Sequence, residues 1–266
     1  MPQKIHFITY GDSPKYKISK KHIIGLAEQS GFFESCKSFS ANDLDYDFKT
    51  KYQEILNQSR GGGFYIWKPK IISSFLEDIK NNDIVVYADS GSSFNYLAKK
   101  RFFEYIEILN TSDYGNLRFE NKKEYIEKYW STKEIFRCFN LNPDSEEGKS
   151  VQLMGGHLIF KKNTHTRDFL NEFFNIVDQD NKLITDFYLE NQIKNFKENR
   201  HDQSILSILT KVYGGEILEN ETFFDKGSEL QVNFPFLSVR HYGHGIKDKI
   251  KFLINYQNIK SKPVFF

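Results

Sequence analysis

The chain has 266 residues, and 37 Lys and Arg against 35 Asp and Glu leave a formal charge of +2, with no global nucleic-acid footprint. Hydrophobic residues make up 39% and aromatic residues 16%, enough for a substantial core, and without a repeat or composition break one domain is favoured over two. Cys36 and Cys138 are the only cysteines, which excludes a disulfide framework and a cysteine zinc motif and fits a reducing, cytoplasmic setting.

The N-terminal segment lacks the long apolar region of a signal peptide, and no stretch reaches the length of a membrane span. Residues 5–10, IHFITY, predict a first strand, and Gly11-Asp12-Ser13-Pro14 predicts a turn after it. An α/β nucleotide-binding domain often starts this way, with Thr9, Tyr10 and Gly11 at the nucleotide. An ordinary turn explains the same residues. Residues 19–29 have amphipathic helical spacing, with Ile23, Ile24 and Ala27 inward and Gly31 as the stop. Residues 35–40 fit a second strand.

Residues 60–70, RGGGFYIWKPK, combine glycines, aromatics and basic groups ahead of a helix in which Ile71, Ile72, Phe75, Leu76 and Ile79 repeat at helical spacing. Pro69 suits a first helical turn. Lys68 near the helix start fits an anion such as a diphosphate. A hinge loop carrying a solvated lysine is the alternative.

Residues 82–91, NDIVVYADSG, contain the strongest strand signal. The unbroken apolar run of Ile84, Val85, Val86, Tyr87 and Ala88 predicts a strand buried on both faces at the centre of a parallel sheet. Asp89 stands where that strand emerges at its carboxyl end, the edge at which open α/β sheets bind ligands. A bound cation is one way to pair such a carboxylate. A plain loop-capping Asp is the other reading.

Residues 94–109 predict a helix. Residues 113–150 are polar, with helical patches at 122–130 and 133–139, and residues 151–160 return to strand composition, interrupted by Gly155-Gly156. His157 after the glycines reads as a structural histidine. Residues 166–177 predict a helix with Phe169, Leu170, Phe173, Phe174 and Val177 inward. Residues 201–213 predict another, with Ile205, Leu206, Leu209 and Val212 inward and Asp202-Gln203 in its first turn. An Asp at a helix start is favoured by capping and by the helix dipole. Residues 237–242 fit a last strand, followed by His241, Gly243, His244, Gly245 and Lys247. Lys249, Lys251, Lys260 and Lys262 beyond form a solvated helix face or touch an anionic membrane surface.

Taken in order, these motifs resemble the GT-A-fold, nucleotide-sugar-dependent glycosyltransferases. The pattern nearest to them is that of glycogenin and the bacterial lipopolysaccharide galactosyltransferases, with related capsule and viral enzymes. The resemblance covers about residues 5–247. It implies a mostly parallel sheet flanked by helices, with a Rossmann-like nucleotide-sugar-binding half in residues 1–110. An acceptor-side half with a closing loop follows in residues 111–266. It implies transfer from a nucleoside-diphosphate sugar, UDP-linked in the nearest relatives, to a glycan or glycolipid acceptor, assisted by Mn²⁺ or Mg²⁺.

In that family an Asp-x-Asp binds metal and sugar. Asp89 matches its first carboxylate, and Gly91 stands where the second would be. His241 matches the family's C-terminal metal ligand and Lys247 its diphosphate-binding lysine, although His244 stands where a glycine is expected. Lys68 resembles the basic residue ahead of the metal strand. Ser90, Gly155 and Gly156 fall beside the nucleotide-sugar, and Asp202-Gln203 resembles the Asp-Gln pair beside the transferred sugar. Asp202 would orient an acceptor hydroxyl or act as a base, and Gln203 would sit against the anomeric carbon. The stereochemical outcome stays open. A non-catalytic sugar-nucleotide or glycan-binding module on the same fold is the alternative, supported by Gly91. A metal-dependent phosphohydrolase would need more carboxylates near Asp89.

Overall fold

The computed structural model describes residues 2–225 and 228–238. Its strands are β1 (Ile5–Tyr10), β2 (Ser35–Phe39), β3 (Ile84–Ala88), β4 (Ser93–Phe94), β5 (Asn116–Phe119), β6 (His157–Lys161), β7 (Glu216–Leu218) and β8 (Phe236–Leu237). The helices that matter here are α1 (Pro14–Ser30), α2 (Tyr46–Lys51), α3 (Trp67–Asp78), α4 (Lys99–Thr111), α5 (Lys133–Cys138), α6 (Thr164–Gln179) and α7 (Asp202–Tyr213).

Six strands form one sheet in the order β2-β1-β3-β6-β5-β7. β3 sits inside it, parallel to β1 and antiparallel to β6. β5 is antiparallel to β6 and parallel to β7, so β6 alone runs against the other five. The apolar run of β3 is divided by its pleat. Val85 and Tyr87 join the core layer containing Ile72, Phe169 and Leu206 from α3, α6 and α7, while Ile84, Val86 and Ala88 join the layer containing Ile23, Phe102 and Leu109 from α1 and α4. Each fully buried Phe or Leu contributes about 2 kcal/mol by leaving water. A strand flanked on both faces therefore holds the carboxyl edge of the sheet rigid.

The reversed direction of β6 matters most for the site. Ala88 pairs with His157, so the start of β6, not its end, lies at the carboxyl edge of β3. Gly155 and Gly156 thereby arrive beside Asp89, whose backbone N–H donates to the Gly156 carbonyl at 2.8 Å.

Several expectations need correction. The first helix starts at Pro14, not at residue 19. The helix expected at 94–109 starts at Lys99, because Ser93 and Phe94 pair with β8 and the Asn95 side chain donates to the carbonyls of Val232 and Phe234. The patch at 122–130 contains only a 3-10 turn, Glu127–Tyr129, whose Glu127 side chain turns inward. Residues 151–153 make isolated bridges before β6 begins at His157. In α7, Val212 is 44% exposed and Ile208 is fully buried in its stead. Strand β5 hides inside the polar stretch 113–150. Its Arg118 is fully buried and donates to the carbonyls of Leu206 (3.3 Å) and Met154 (2.9 Å) and to Thr210 Oγ1 (3.2 Å). A buried arginine with carbonyl partners carries no apolar signal. Among the described residues no helix is long and apolar enough to cross a membrane. The strand expected at 237–242 is described only as far as Ser238, and the basic tail lies outside the described residues.

Candidate active site

A cavity of about 470 Å³ opens at the carboxyl edge of β1 and β3. It is lined by Tyr10 and Gly11 after β1, Trp67 and Lys68 at the start of α3, Asp89 and Ser90 after β3, Gly155 and Gly156 before β6, and Asp202 and Gln203 at the start of α7. The size suits a small-molecule ligand. Most of the site residues expected from the sequence thus converge on one pocket. Thr9 does not: it is fully buried beneath the pocket. His241 and Lys247 lie outside the described residues.

At the centre is Lys68. Its side chain is 3% exposed, and its Nζ lies 2.9 Å from Asp202 Oδ2 and 3.5 Å from Asp89 Oδ1 and donates to the Gly155 carbonyl at 2.8 Å. The alternative of a solvated lysine is thereby overturned, because Lys68 is a buried ion-pair hub. Burial alone would lower its pKa, but Asp202 and Asp89 outweigh that and raise it above the ordinary lysine value. The rings of Tyr65, Tyr87 and Trp67 lie 5.3, 5.4 and 5.9 Å from the ammonium, so their faces replace part of its lost hydration.

The two carboxylates differ. Asp202 is 2% exposed, and burial pushes its carboxyl up to about 6, with Lys68 holding the rise in check. It does not act as a simple helix cap, because its oxygen faces Lys68. Asp89 has a side chain 44% exposed, and its Oδ1 accepts from the Tyr87 hydroxyl at 2.7 Å. Burial and that carboxylate keep the Tyr87 phenol protonated. Tyr87 had the appearance of plain core. Its place two residues before Asp89 on one strand face was the available signal.

The glycine run forms a tight turn rather than an extended loop. Gly61, Gly62, Gly63, Phe64 and Tyr65 have φ of 61°, 60°, 95°, 51° and 63°, a continuous left-handed turn. Glycine adopts this freely, but Phe64 and Tyr65 each cost about 1–2 kcal/mol. A Cβ on Gly63 would lie 2.7 Å from Leu56 Cα. The turn lets Trp67 Nε1 donate to the Gly61 carbonyl at 2.8 Å, and it stacks Trp67 on Tyr10 with ring centroids 3.7 Å apart. His201, just before Asp202, also has positive φ (58°) and is held by Asp186 at 3.0 Å and by the Phe64 ring at 4.9 Å. Strain held by packing on both sides of the Lys68–Asp202 pair fixes that pair in place.

On the far wall are Tyr125, Arg200 and Phe223, which the sequence reading missed. Their stretches are polar and irregular, so only tertiary packing gathers them.

The donor atoms can be tested against the divalent metal implied by the resemblance. Among the described residues no three His, Cys, Asp or Glu gather around one point. One carboxylate nevertheless fits. Lys68 neutralises one of the two Asp charges and leaves a net negative cluster, and Asp89 Oδ2 faces the glycine Gly156, where a Cβ would press to 3.1 Å. A single hard oxygen of this kind suits Mg²⁺ or Mn²⁺ shared with the phosphates of a ligand.

No family model matches the sequence, and no curated protein matches it. Solved structures do. The chain is similar to a glycosyltransferase involved in the glycosylation of the major capsid of PBCV-1, over 95% of this chain and 98% of that one, with a TM-score of 0.53 and 9% identity. It also aligns with the galactosyltransferase LgtC in complex with donor and acceptor sugar analogs, over 94% of both chains at a TM-score of 0.47 and 11% identity. Mouse xyloside xylosyltransferase 1 aligns over 90% of this chain and 95% of its own, at a TM-score of 0.45 and 10% identity. The fold is the GT-A fold, a mostly parallel sheet flanked by helices. At such identities the likeness describes the fold, and function has to be argued from the site.

Proposed function

We propose that this protein is a glycosyltransferase that moves a sugar from a nucleoside-diphosphate sugar, UDP-linked by the family resemblance, to a glycan or glycoconjugate acceptor in the cytoplasm. The observation that carries the reading is the Asp89–Lys68–Asp202 cluster at the floor of the pocket. Residues from the first 110 positions and residues from 111 onwards both line the pocket, which supports a donor half and an acceptor half in one domain.

The stacked Tyr10 and Trp67 rings offer an apolar wall for the base. Gly11, Ser90, Gly155 and Gly156 line the pocket beside the donor, and the bare faces of Gly155 and Gly156 make room for Gln203 and Asp89. Asp89 would hold Mg²⁺ or Mn²⁺ together with the diphosphate, and the metal would neutralise the charge that builds on the leaving group. Lys68 keeps Asp202 in place and adds positive potential in a water-poor site. Asp202, ionised at neutral pH, orients the acceptor hydroxyl or accepts its proton. The alternative of a non-catalytic binding module on the same fold rests on Gly91, where no second carboxylate stands.

The reading is tested by thermal unfolding with nucleotide sugars, with and without Mn²⁺. A ligand of the native state raises the midpoint. No shift with any nucleoside diphosphate or its sugars would refute the reading, and shifts without turnover would favour the binding module. Asp89→Ala is expected to weaken Mn²⁺-dependent binding of UDP by about tenfold or more while the protein stays folded, since a metal-orienting carboxylate is lost. Calorimetric titration checks this, and equal metal-dependent affinity in both proteins would exclude Asp89 from the metal site.

A further inference from the structure

A buried polar chain runs from the far side of α7 to the pocket. Lys211 Nζ lies 2.7 Å from Glu127 Oε2, which also accepts from the Ser207 hydroxyl. Glu127 is fully buried, and its Oε1 accepts from Gln152 Nε2 at 2.9 Å. Gln152, also fully buried, accepts through Oε1 from Gln203 Nε2 at 2.7 Å. Gln203 Oε1 accepts from the Gly155 N–H at 3.0 Å.

The direction of every amide in this chain is forced. A carboxylate only accepts, so Gln152 must turn its NH₂ to Glu127 and its oxygen to Gln203. Gln203 must then turn its NH₂ to Gln152. At the other end a backbone N–H only donates, which demands the Gln203 oxygen. Both ends specify the same orientation, so it does not depend on how the amide was assigned. One N–H of Gln203 is left for the pocket that this residue lines.

We infer that Glu127 and Gln152 are positioning residues that lock the Gln203 amide, so that it offers an N–H to an oxygen of the bound substrate. The substrate atom is thus an acceptor, such as a hydroxyl or a glycosidic oxygen. The functional half of this inference rests on the transferase reading, but the lock itself does not. Gln152 is held in this direction from a second side as well, because its Nε2 donates to the Trp130 carbonyl at 3.3 Å. An amide at position 127 breaks the logic: keeping an oxygen on Lys211 sets its NH₂ against the Gln152 NH₂, and if Gln152 reverses, its oxygen meets the Trp130 carbonyl and Gln203 NH₂ meets the Gly155 N–H.

The experiment follows the side-chain amide protons of Gln203 by NMR in ligand-free, isotope-labelled protein, assigned by their loss in Gln203→Met. In the wild type we expect two separate signals, the proton bonded to Gln152 exchanging slowly and the pocket-facing proton faster. Glu127→Gln should speed exchange of the protected proton by about tenfold or more, as expected for protection that follows a local hydrogen bond. Should Glu127→Gln fail to fold, Gln152→Met reads the same link, because it removes the contact with Gln203 and leaves Lys211–Glu127 in place. With a turned-over donor, kcat of either variant should fall about tenfold with KM little changed, the signature of an interaction made in the transition state. A Gln152-facing proton that exchanges as fast as its partner in the wild type, or that is indifferent to both Glu127→Gln and Gln152→Met, would overturn the lock. Intact NMR behaviour with no transfer from any nucleotide sugar would overturn the transferase reading and leave the lock standing.

Discussion

Asp202→Asn is expected to lower sugar transfer by about 10²-fold or more, the scale of a lost general base or proton-accepting partner, in a protein that remains folded. The carboxyl is buried and lies 2.9 Å from Lys68 at the pocket floor. An amide there can still accept from Lys68 but cannot take a proton. The pH profile gives a second reading. Burial, offset in part by Lys68, pushes the Asp202 carboxyl up to about 6. Wild-type turnover should therefore fall as pH drops through that value, and the residual activity of Asp202→Asn should lack this acid limb.

Stability should respond the other way. Because the folded carboxyl titrates above its ordinary value of 3.8, its contribution is fully present below that value and is lost as pH rises through about 6. A neutral amide removes the burial cost of the Asp202 charge but leaves Lys68 with Asp89 as its only charged partner, beside the Gly155 carbonyl, so the two effects oppose each other and the protein should stay folded. Steady-state pH–rate profiles and thermal unfolding of both proteins check these statements. Full activity in folded Asp202→Asn would reduce Asp202 to a structural partner of Lys68.

Lys68→Met is expected to have the largest effect on stability. Removing one partner of a buried pair leaves an uncompensated charge and costs about 3–5 kcal/mol. Here one ammonium serves two carboxylates and a carbonyl, and methionine fills the space without replacing any of those contacts. The sign with pH follows from Asp202. Without the cation its carboxyl rises further, so the variant is least stable where Asp202 must ionise and recovers as acid protonates it. Urea unfolding at pH 8 and pH 5 should show a large gap from wild type at the higher pH and a smaller one at the lower. Equal midpoints at pH 8 would mean that the pair contributes nothing. Activity should be lost with it, because Asp202 would no longer be held.

Most of the fold and part of the site are legible from local chemistry. The run Ile84–Ala88 reads as a doubly buried strand and is one, and Asp89 follows it at the carboxyl edge of the sheet. The spacing of apolar residues in α3, α6 and α7 reports their buried faces, because one side of a helix repeats every three to four residues. Gly155-Gly156 is visible because glycines interrupt a strand, whereas Asp202-Gln203 fits an ordinary helix start and stands out only through the family resemblance. Strand β5 is not legible, since its Arg118 donates to carbonyls of α7 and of residue 154, groups far away in sequence. Lys68 reads as solvated until the reversal of β6 brings Gly155 to it and α7 brings Asp202. The left-handed turn at 61–65 and the chain from Lys211 to Gln203 are likewise decided in three dimensions. Sequence pattern by itself determined which apolar segments are buried and which strand lies at the centre of the sheet, because burial periodicity is local. Which charges pair, which amide points which way and which polar residues reach the pocket were decided only by the tertiary structure, because hydrogen bonds and ion pairs depend on angstrom-scale contacts between groups 48 to 134 residues apart.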